Sequence, residues 1–83
     1  MRNPSLRLNL KNMLDKEVTV KIRLYRTFLK GTLASFDQYS NVLLENAIEY
    51  KQDEESGNLV EHEKYSGPIL LRGDSIIALS SVI

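Results

Sequence analysis

From Val18 onward, the chain consists of short apolar-rich segments separated by turn-forming residues, and in the first of these segments apolar and polar residues alternate. The first segment reads V-T-V-K-I-R-L, and its apolar members are Val18, Val20, Ile22 and Leu24. Because successive side chains of a strand point to opposite faces, an apolar residue at every second position predicts a strand with one buried face. Further strands are predicted at residues 28–36, 42–50, 59–65 and 76–82, separated by clusters of turn-forming residues. This spacing favours a mainly β fold, built on a small and strongly bent antiparallel sheet.

Two local features refine this prediction. Asn3 followed by Pro4 is typical of a helix N-cap with proline in the first turn, and apolar residues then recur at helical spacing as far as Leu14. We therefore expect a short amphipathic helix at about residues 4–14. Gly31 lies in the middle of the second predicted strand, where the missing side chain permits a sharp bend. The expected fold is one N-terminal helix and five strands, with the second strand curling around the core.

The length of the chain limits the size of its core. The 83 residues are expected to form a single domain, residues 1–83, and a domain this small buries only about 60% of the surface that its unfolded chain exposes. The sequence contains no cysteine, which rules out stabilising disulfides and thiolate metal sites and favours an intracellular protein. Oligomerisation is then the ordinary remedy for the small core. We expect a cytoplasmic protein, or a nuclear one in a eukaryotic cell.

The charge balance limits the kinds of partner. Eleven lysine and arginine residues balance eleven acidic ones, whereas generic nucleic-acid binders are strongly basic. No segment approaches the roughly 18 apolar residues that span a bilayer, and the first residues lack the pattern of a signal peptide, so no membrane partner is expected. If the ligand is RNA, a few local contacts must hold it.

Two predicted turns carry the residues that suggest a function. They are Asp37–Asn41, with the sequence D-Q-Y-S-N, and Arg72–Asp74, with the sequence R-G-D. Each turn alone is more typical of ordinary chain reversal. Together, and in their surroundings, they resemble the two sequence motifs of the Sm/Sm-like family. The surrounding positions that carry the resemblance are Gly31, Leu33, Leu44, Ala47, Ile69 and Leu71.

The resemblance covers nearly the whole chain. The first motif is expected at about residues 18–50 and the second at about 66–82, with an acidic loop between them at about 52–58. The segment from Ile22 to Gly31 departs from the family pattern, because it is one residue longer than usual and lacks the common glycine turn. That departure concerns the first hairpin rather than the two motifs.

The resemblance implies a fold and an assembly. The fold is an N-terminal helix over a five-stranded, strongly bent antiparallel sheet, an SH3-like barrel known as the Sm fold. The assembly is a ring, usually of seven subunits, in which the fourth strand of one copy pairs with the fifth strand of the next. The apolar final strand agrees with this, because an uncovered edge of that kind would aggregate and a closed ring covers it. The short tails favour a homomeric, archaeal-type ring over one that includes paralogous subunits.

The resemblance also implies an RNA-binding site on the inner rim of the ring, made of Tyr39, Asn41, Arg72, Gly73 and Asp74. Tyr39 and Arg72 match the positions that cover the two faces of a base. Asn41 matches the position that reads the base edge, and Asp74 the position that orients Asn41. Gly73 lets the backbone approach the base. The implied ligand is uridine-rich single-stranded RNA, and the implied role is RNA processing, RNA stability or ribonucleoprotein assembly.

Other interpretations remain open. A ring that acts mainly as a protein-interaction scaffold, with RNA binding secondary, would have the same sequence features. A small nuclease is disfavoured, because the catalytic groups would have to come from His62 or the acidic loop, so we expect no enzymatic activity and neither a metal nor a cofactor. Asp37 is interpreted as a structural residue that caps its own turn. Arg2, Arg7 and Lys11 on the helix face are candidates for a second RNA site.

Overall fold

The computed structural model of the chain describes residues 10–81. Its strands are β1 (Glu17–Ile22), β2 (Thr27–Phe36), β3 (Val42–Gln52), β4 (Leu59–Lys64), β5 (Ile69–Leu71) and β6 (Ile76–Ser81). Residues 10–12 are helical, and Gly73–Ser75 form one turn of 3-10 helix. The expected mainly β fold with a short N-terminal helix is confirmed. The expected start of the helix and the predicted last strand residue, Val82, lie outside the described residues, as do Arg2 and Arg7.

The strands form one antiparallel sheet in the order β4-β3-β2-β1-β6, and β5 pairs separately with β3. The predicted fourth strand at residues 59–65 corresponds to β4, and β5 is an additional strand on the same neighbour, β3. β4 pairs with residues 48–52 of β3, and β5 pairs with residues 42–44. Pro68 lies between the two strands and has no N–H to donate to a sheet. This additional strand accounts for six strands where the sequence predicted five.

The first hairpin closes without a glycine. The Thr27 N–H donates to the Leu24 carbonyl over 3.0 Å, and Arg26 takes the left-handed conformation with a φ of 51°. Thr27 is fully buried at the end of this turn, where its hydroxyl donates to the Tyr25 carbonyl and accepts from the Lys51 amine. These bonds to Thr27 tie the turn to β3 and hold Arg26 in a conformation that glycine would adopt at lower cost.

The core is built from buried apolar residues of β1, β2 and β3 together with Leu10 of the helical residues. Its fully buried side chains are Leu10, Val18, Val20, Leu29, Leu33, Val42, Leu44 and Ala47. Gly31 confirms the expected bend, because a Cβ atom there would lie 2.9 Å from the carbonyl oxygen of Glu45 and 3.2 Å from the Cα of Ala47. The pairing of β2 with β3 shifts register at this glycine. Only a residue without a side chain allows β3 to cross so close to β2.

Two edges of the sheet are uncovered within residues 10–81. One edge is β6, which pairs only with β1, and the other is the outer side of β4 and β5. Both edges carry exposed apolar side chains: Val60 is 56% exposed, Leu70 68% and Ile77 50%. No helix in this part of the chain is long and apolar enough to cross a membrane.

Candidate functional site

The turn between β2 and β3 is organised by Asp37. Its Oδ1 atom accepts from the N–H of Tyr39 over 2.8 Å and from the N–H of Asn41 over 3.0 Å. Two backbone bonds close the same turn, from the Ser40 N–H to the Asp37 carbonyl and from the Asp37 N–H to the Asn41 carbonyl, each 3.1 Å long. The interpretation of Asp37 as the cap of its own turn is confirmed.

Ser40 is held in an unfavourable state within this turn. It has a φ of 64° and is 5% exposed, and its Oγ has no hydrogen-bond partner among residues 10–81. Only glycine and, less often, asparagine or aspartate adopt this conformation readily. The strain shows that the surrounding contacts fix the path of the backbone here.

The second turn, Arg72–Ser75, packs directly against the first. The Ser75 N–H donates to the Arg72 carbonyl over 2.9 Å and closes a single turn of 3-10 helix. A Cβ atom on Gly73 would collide with the carbonyl oxygen of Tyr39 and would lie 3.0 Å from that of Ser40. Gly73 is therefore required because two backbones meet at this point.

Asn41 joins the two turns. Its side-chain oxygen accepts from the N–H of Gly73 over 2.7 Å, and its side-chain nitrogen donates to Asp37 Oδ2 over 3.0 Å. The first of these bonds connects residues 32 positions apart. Tyr39 and Asn41 are thus brought against Gly73, as expected from the sequence.

The expected role of Asp74 is corrected by this geometry. The carboxylate that accepts from the Asn41 amide belongs to Asp37, whereas the carboxylate of Asp74 lies 3.5 Å from Arg72 Nη2. The physical reason is local: Asp37 lies in the same turn as Asn41, and two backbone N–H groups already hold its carboxylate in place. Asp74 instead forms an exposed ion pair with Arg72.

The site presents two flat groups and one amide to solvent. Tyr39 is 60% exposed, and the Arg72 side chain is 77% exposed. Asn41 is half-buried, and after its two bonds its amide retains one N–H and one oxygen lone pair. A phenol ring, a guanidinium and a fixed donor–acceptor pair are the groups with which proteins stack on an unpaired base and read its edge.

One further contact at this site was not predicted by sequence analysis. The N–H of Arg23 donates to the Ser75 carbonyl over 2.8 Å, and Arg23 Nε donates to the Asp74 carbonyl over 2.9 Å. Arg23 follows the last residue of β1 and is 51 positions from Asp74. In the sequence it is only one of the polar residues of an alternating segment.

His62 lies in a separate group centred on Glu49. His62 Nε2 is 4.0 Å from Glu49 Oε2, and the Tyr65 hydroxyl donates to Glu49 Oε1 over 2.6 Å. This bond, together with burial, raises the pKa of Tyr65 to about 12. Among residues 10–81 no three histidine, aspartate or glutamate side chains are grouped as metal ligands would be.

The chain matches a family model and several known proteins. The model described as LSM domain matches residues 8–81. A probable small nuclear ribonucleoprotein G of Caenorhabditis elegans is 33% identical over 70 residues, which cover 84% of this chain and 80% of that protein. The U6 snRNA-associated Sm-like protein LSm6 of Eremothecium gossypii is 36% identical over 73 residues, covering 88% and 81%.

Solved structures agree with the sequence matches. The Sm protein of Pyrococcus abyssii, in complex with a uridine heptamer, superposes with a TM-score of 0.72 at 30% identity, covering 98% of this chain and 100% of that one. A heptameric archaeal Sm protein superposes with a TM-score of 0.66 at 32% identity, covering 92% and 98%.

Proposed function

The chain belongs to the LSM domain family, and from that premise we propose that it forms a ring and binds uridine-rich single-stranded RNA on the inner rim of that ring. Proteins of this family bind RNA and are not enzymes. The observation that carries the proposal is the Asn41 side chain, which holds two distant turns together and still offers a donor and an acceptor.

The roles of the site residues follow from their chemistry. Tyr39 stacks on one face of a base and Arg72 covers the other, because both groups are planar and exposed. Asn41 pairs with the base edge. Gly73 keeps the two turns in contact, and Asp74 holds the guanidinium of Arg72 through the ion pair between them.

Ring formation is supported by the two uncovered edges. In the proposed ring, β6 of one subunit pairs with the outer side of β4 and β5 of the next, which continues the sheet and buries the exposed apolar residues Val60, Leu70 and Ile77. A heptameric archaeal Sm protein is among the similar structures, and we propose seven identical subunits for this chain as well.

The ring also accounts for RNA binding by a chain without net charge. Stacking contributes about 1–3 kcal/mol per base, so a single site binds weakly. Identical sites around one pore meet a continuous RNA strand at high effective concentration, and avidity then exceeds the affinity of one site by about 10²–10⁴. A few contacts repeated around the ring replace a basic surface.

Two measurements on the same purified protein test the proposal. Native mass spectrometry should give the mass of a closed ring, and fluorescence anisotropy at one fixed salt concentration should show tight binding of labelled oligouridine. A monomeric mass at micromolar concentration contradicts ring formation. A ring that fails to bind oligouridine contradicts the RNA function and favours the scaffold alternative. We propose a role in RNA processing, RNA stability or ribonucleoprotein assembly, in the cytoplasm or in a eukaryotic nucleus.

A further inference from the structure

The second turn of the site is held from two sides. Asn41 accepts from Gly73 on one side, and Arg23 donates through its backbone and its side chain on the other, to the carbonyls of Ser75 and Asp74. The Arg23 bonds connect the end of β1 to the turn that carries Arg72. Arg23 therefore lies beside the proposed base site, although it belongs to neither sequence motif.

The hydrogen bonds that hold Arg23 leave most of its guanidinium available for a ligand. Only Nε is used in the bond to Asp74, so the two terminal nitrogens remain as a fork of donors. Arg23 is exposed, and within residues 10–81 no carboxylate lies close enough to form an ion pair with it. A guanidinium that is already held at one nitrogen loses little additional conformational freedom when it binds a second group.

Other cations near this hairpin are engaged differently. Arg26 donates from Nε to the Tyr25 hydroxyl and lies 3.8 Å from Glu54, and the Lys51 amine bonds Thr27 and lies 3.6 Å from Glu49. These contacts involve other side chains of the hairpin and of β3. Arg23 differs because its anchor is the backbone of the binding turn.

We propose that Arg23 binds a phosphodiester group of the RNA strand whose bases occupy the Asn41 site. This inference rests on the proposed function. A guanidinium with two free parallel donors matches two oxygens of a phosphate. Each ring subunit then contributes one base contact at Asn41 and one backbone contact at Arg23, and the backbone contact adds affinity without distinguishing bases.

The test compares Arg23→Gln with Arg26→Gln as a matched control in the same hairpin. Both variants are titrated with oligouridine and with oligocytidine at several salt concentrations, after native mass spectrometry has confirmed the ring. Arg23→Gln should weaken binding of both oligonucleotides by the same factor, at least about tenfold, because a single contact to a charged group contributes about 1.5–3 kcal/mol. The negative slope of log affinity against log salt concentration should become shallower by about 0.7 for every subunit whose Arg23 contacts a phosphate. Arg26→Gln should leave both quantities unchanged.

Three results would overturn the inference. Unchanged affinity and salt slope in Arg23→Gln, with a wild-type ring that binds oligouridine, refute the phosphate contact and leave the proposed function intact. A loss of affinity that changes the ratio of uridine to cytidine binding, at constant salt slope, shows that Arg23 only positions the base site. A wild-type ring that binds no oligouridine refutes the proposed function, and this inference with it.

A second variant decides the case in which Arg23→Gln does not assemble. Arg23→Lys keeps the charge but has neither the Nε anchor nor the fork. It should keep the wild-type salt slope and bind both oligonucleotides more weakly. Wild-type affinity in the lysine variant would show that the anchored fork is not used.

Discussion

The orientation of the Asn41 amide determines which base the proposed site can read. Its oxygen faces the Gly73 N–H, which can only donate, and its nitrogen faces the Asp37 carboxylate, which can only accept. Rotating the amide by half a turn would place donor against donor and acceptor against acceptor. The remaining N–H and lone pair of Asn41 therefore keep a fixed order, which complements the O4 acceptor and N3–H donor of uracil and opposes the corresponding groups of cytosine.

The substitution Asp37→Asn tests this reasoning with minimal change of shape. The new amide oxygen can still accept from the Tyr39 and Asn41 backbones, but its nitrogen now faces the nitrogen of Asn41. The side chain at position 37 then favours the flipped orientation of the Asn41 amide, whereas the Gly73 N–H still favours the original one. Because Asp37 is exposed and Asn41 half-buried, we take the lower part of the range for a hydrogen bond to a charged group, about 1.5–2 kcal/mol. This corresponds to a loss of selectivity of about ten- to thirty-fold per site.

The assay is fluorescence anisotropy with oligouridine and oligocytidine of equal length, at one salt concentration. Wild type should bind oligouridine far better than oligocytidine. Asp37→Asn should narrow this difference in affinity, mainly by raising the affinity for oligocytidine. Asp74→Asn is the matched control, because the Asp74 carboxylate pairs with Arg72 and not with Asn41. It should change both affinities by similar factors. Equal affinities in wild type, or a full uridine preference in a folded Asp37→Asn ring, would refute the proposed orientation mechanism.

Four further outcomes are expected. Ile77→Pro should abolish the ring mass in native mass spectrometry, because proline removes a backbone N–H donor from the edge strand β6. The monomer should stay folded, because Ile77 falls in the register shift between β6 and β1 and has no partner on β1. Tyr39→Ala and Arg72→Lys should each lower oligouridine affinity at least tenfold in an intact ring, since each removes one stacking plane; unchanged anisotropy curves would place the base elsewhere. Gly73→Ala should lower the melting temperature and RNA affinity together, because the new Cβ collides with the Tyr39 carbonyl. The pKa of Tyr65 is raised to about 12 by its hydrogen bond to Glu49 and by burial. The stability that the neutral Tyr65 hydroxyl contributes is therefore present below about pH 10 and is lost as pH rises towards 12. Thermal melts of Tyr65→Phe should not show this loss of stability between about pH 10 and 12.

The longer strands were predicted close to their observed limits. β2 ends at Phe36, where it was expected to end, and β1 and β3 differ from their predicted limits by one or two residues. β5 escaped prediction because it has three residues, too few to establish a period of two. Its strand character comes from pairing with residues 42–44 of β3, a contact between segments distant in sequence.

The sequence predicted that the two turns meet, but it did not predict which hydrogen bonds join them. Two motifs resembling those of a known family identified Tyr39, Asn41 and Gly73, and the structure brings their turns together. Which carboxylate meets the Asn41 amide depends on side-chain placement within the turn, and no spacing rule distinguishes Asp37 from Asp74. The Arg23 contact was hidden for the same reason, because a bond across 51 residues leaves no local pattern.

The arrangement of the sheet links assembly to RNA binding in the proposed ring. The Arg72–Ser75 turn directly connects β5 to β6, and these strands contribute to the two uncovered edges of the sheet. A neighbouring subunit on each edge would restrain both ends of the turn, and Arg23 and Asn41 restrain its middle. In the proposed ring, assembly would therefore restrain this turn before any RNA is bound. Conversely, RNA that binds the ring more tightly than the separate subunits would stabilise the ring by mass action. Only the assembled ring would offer the complete set of sites.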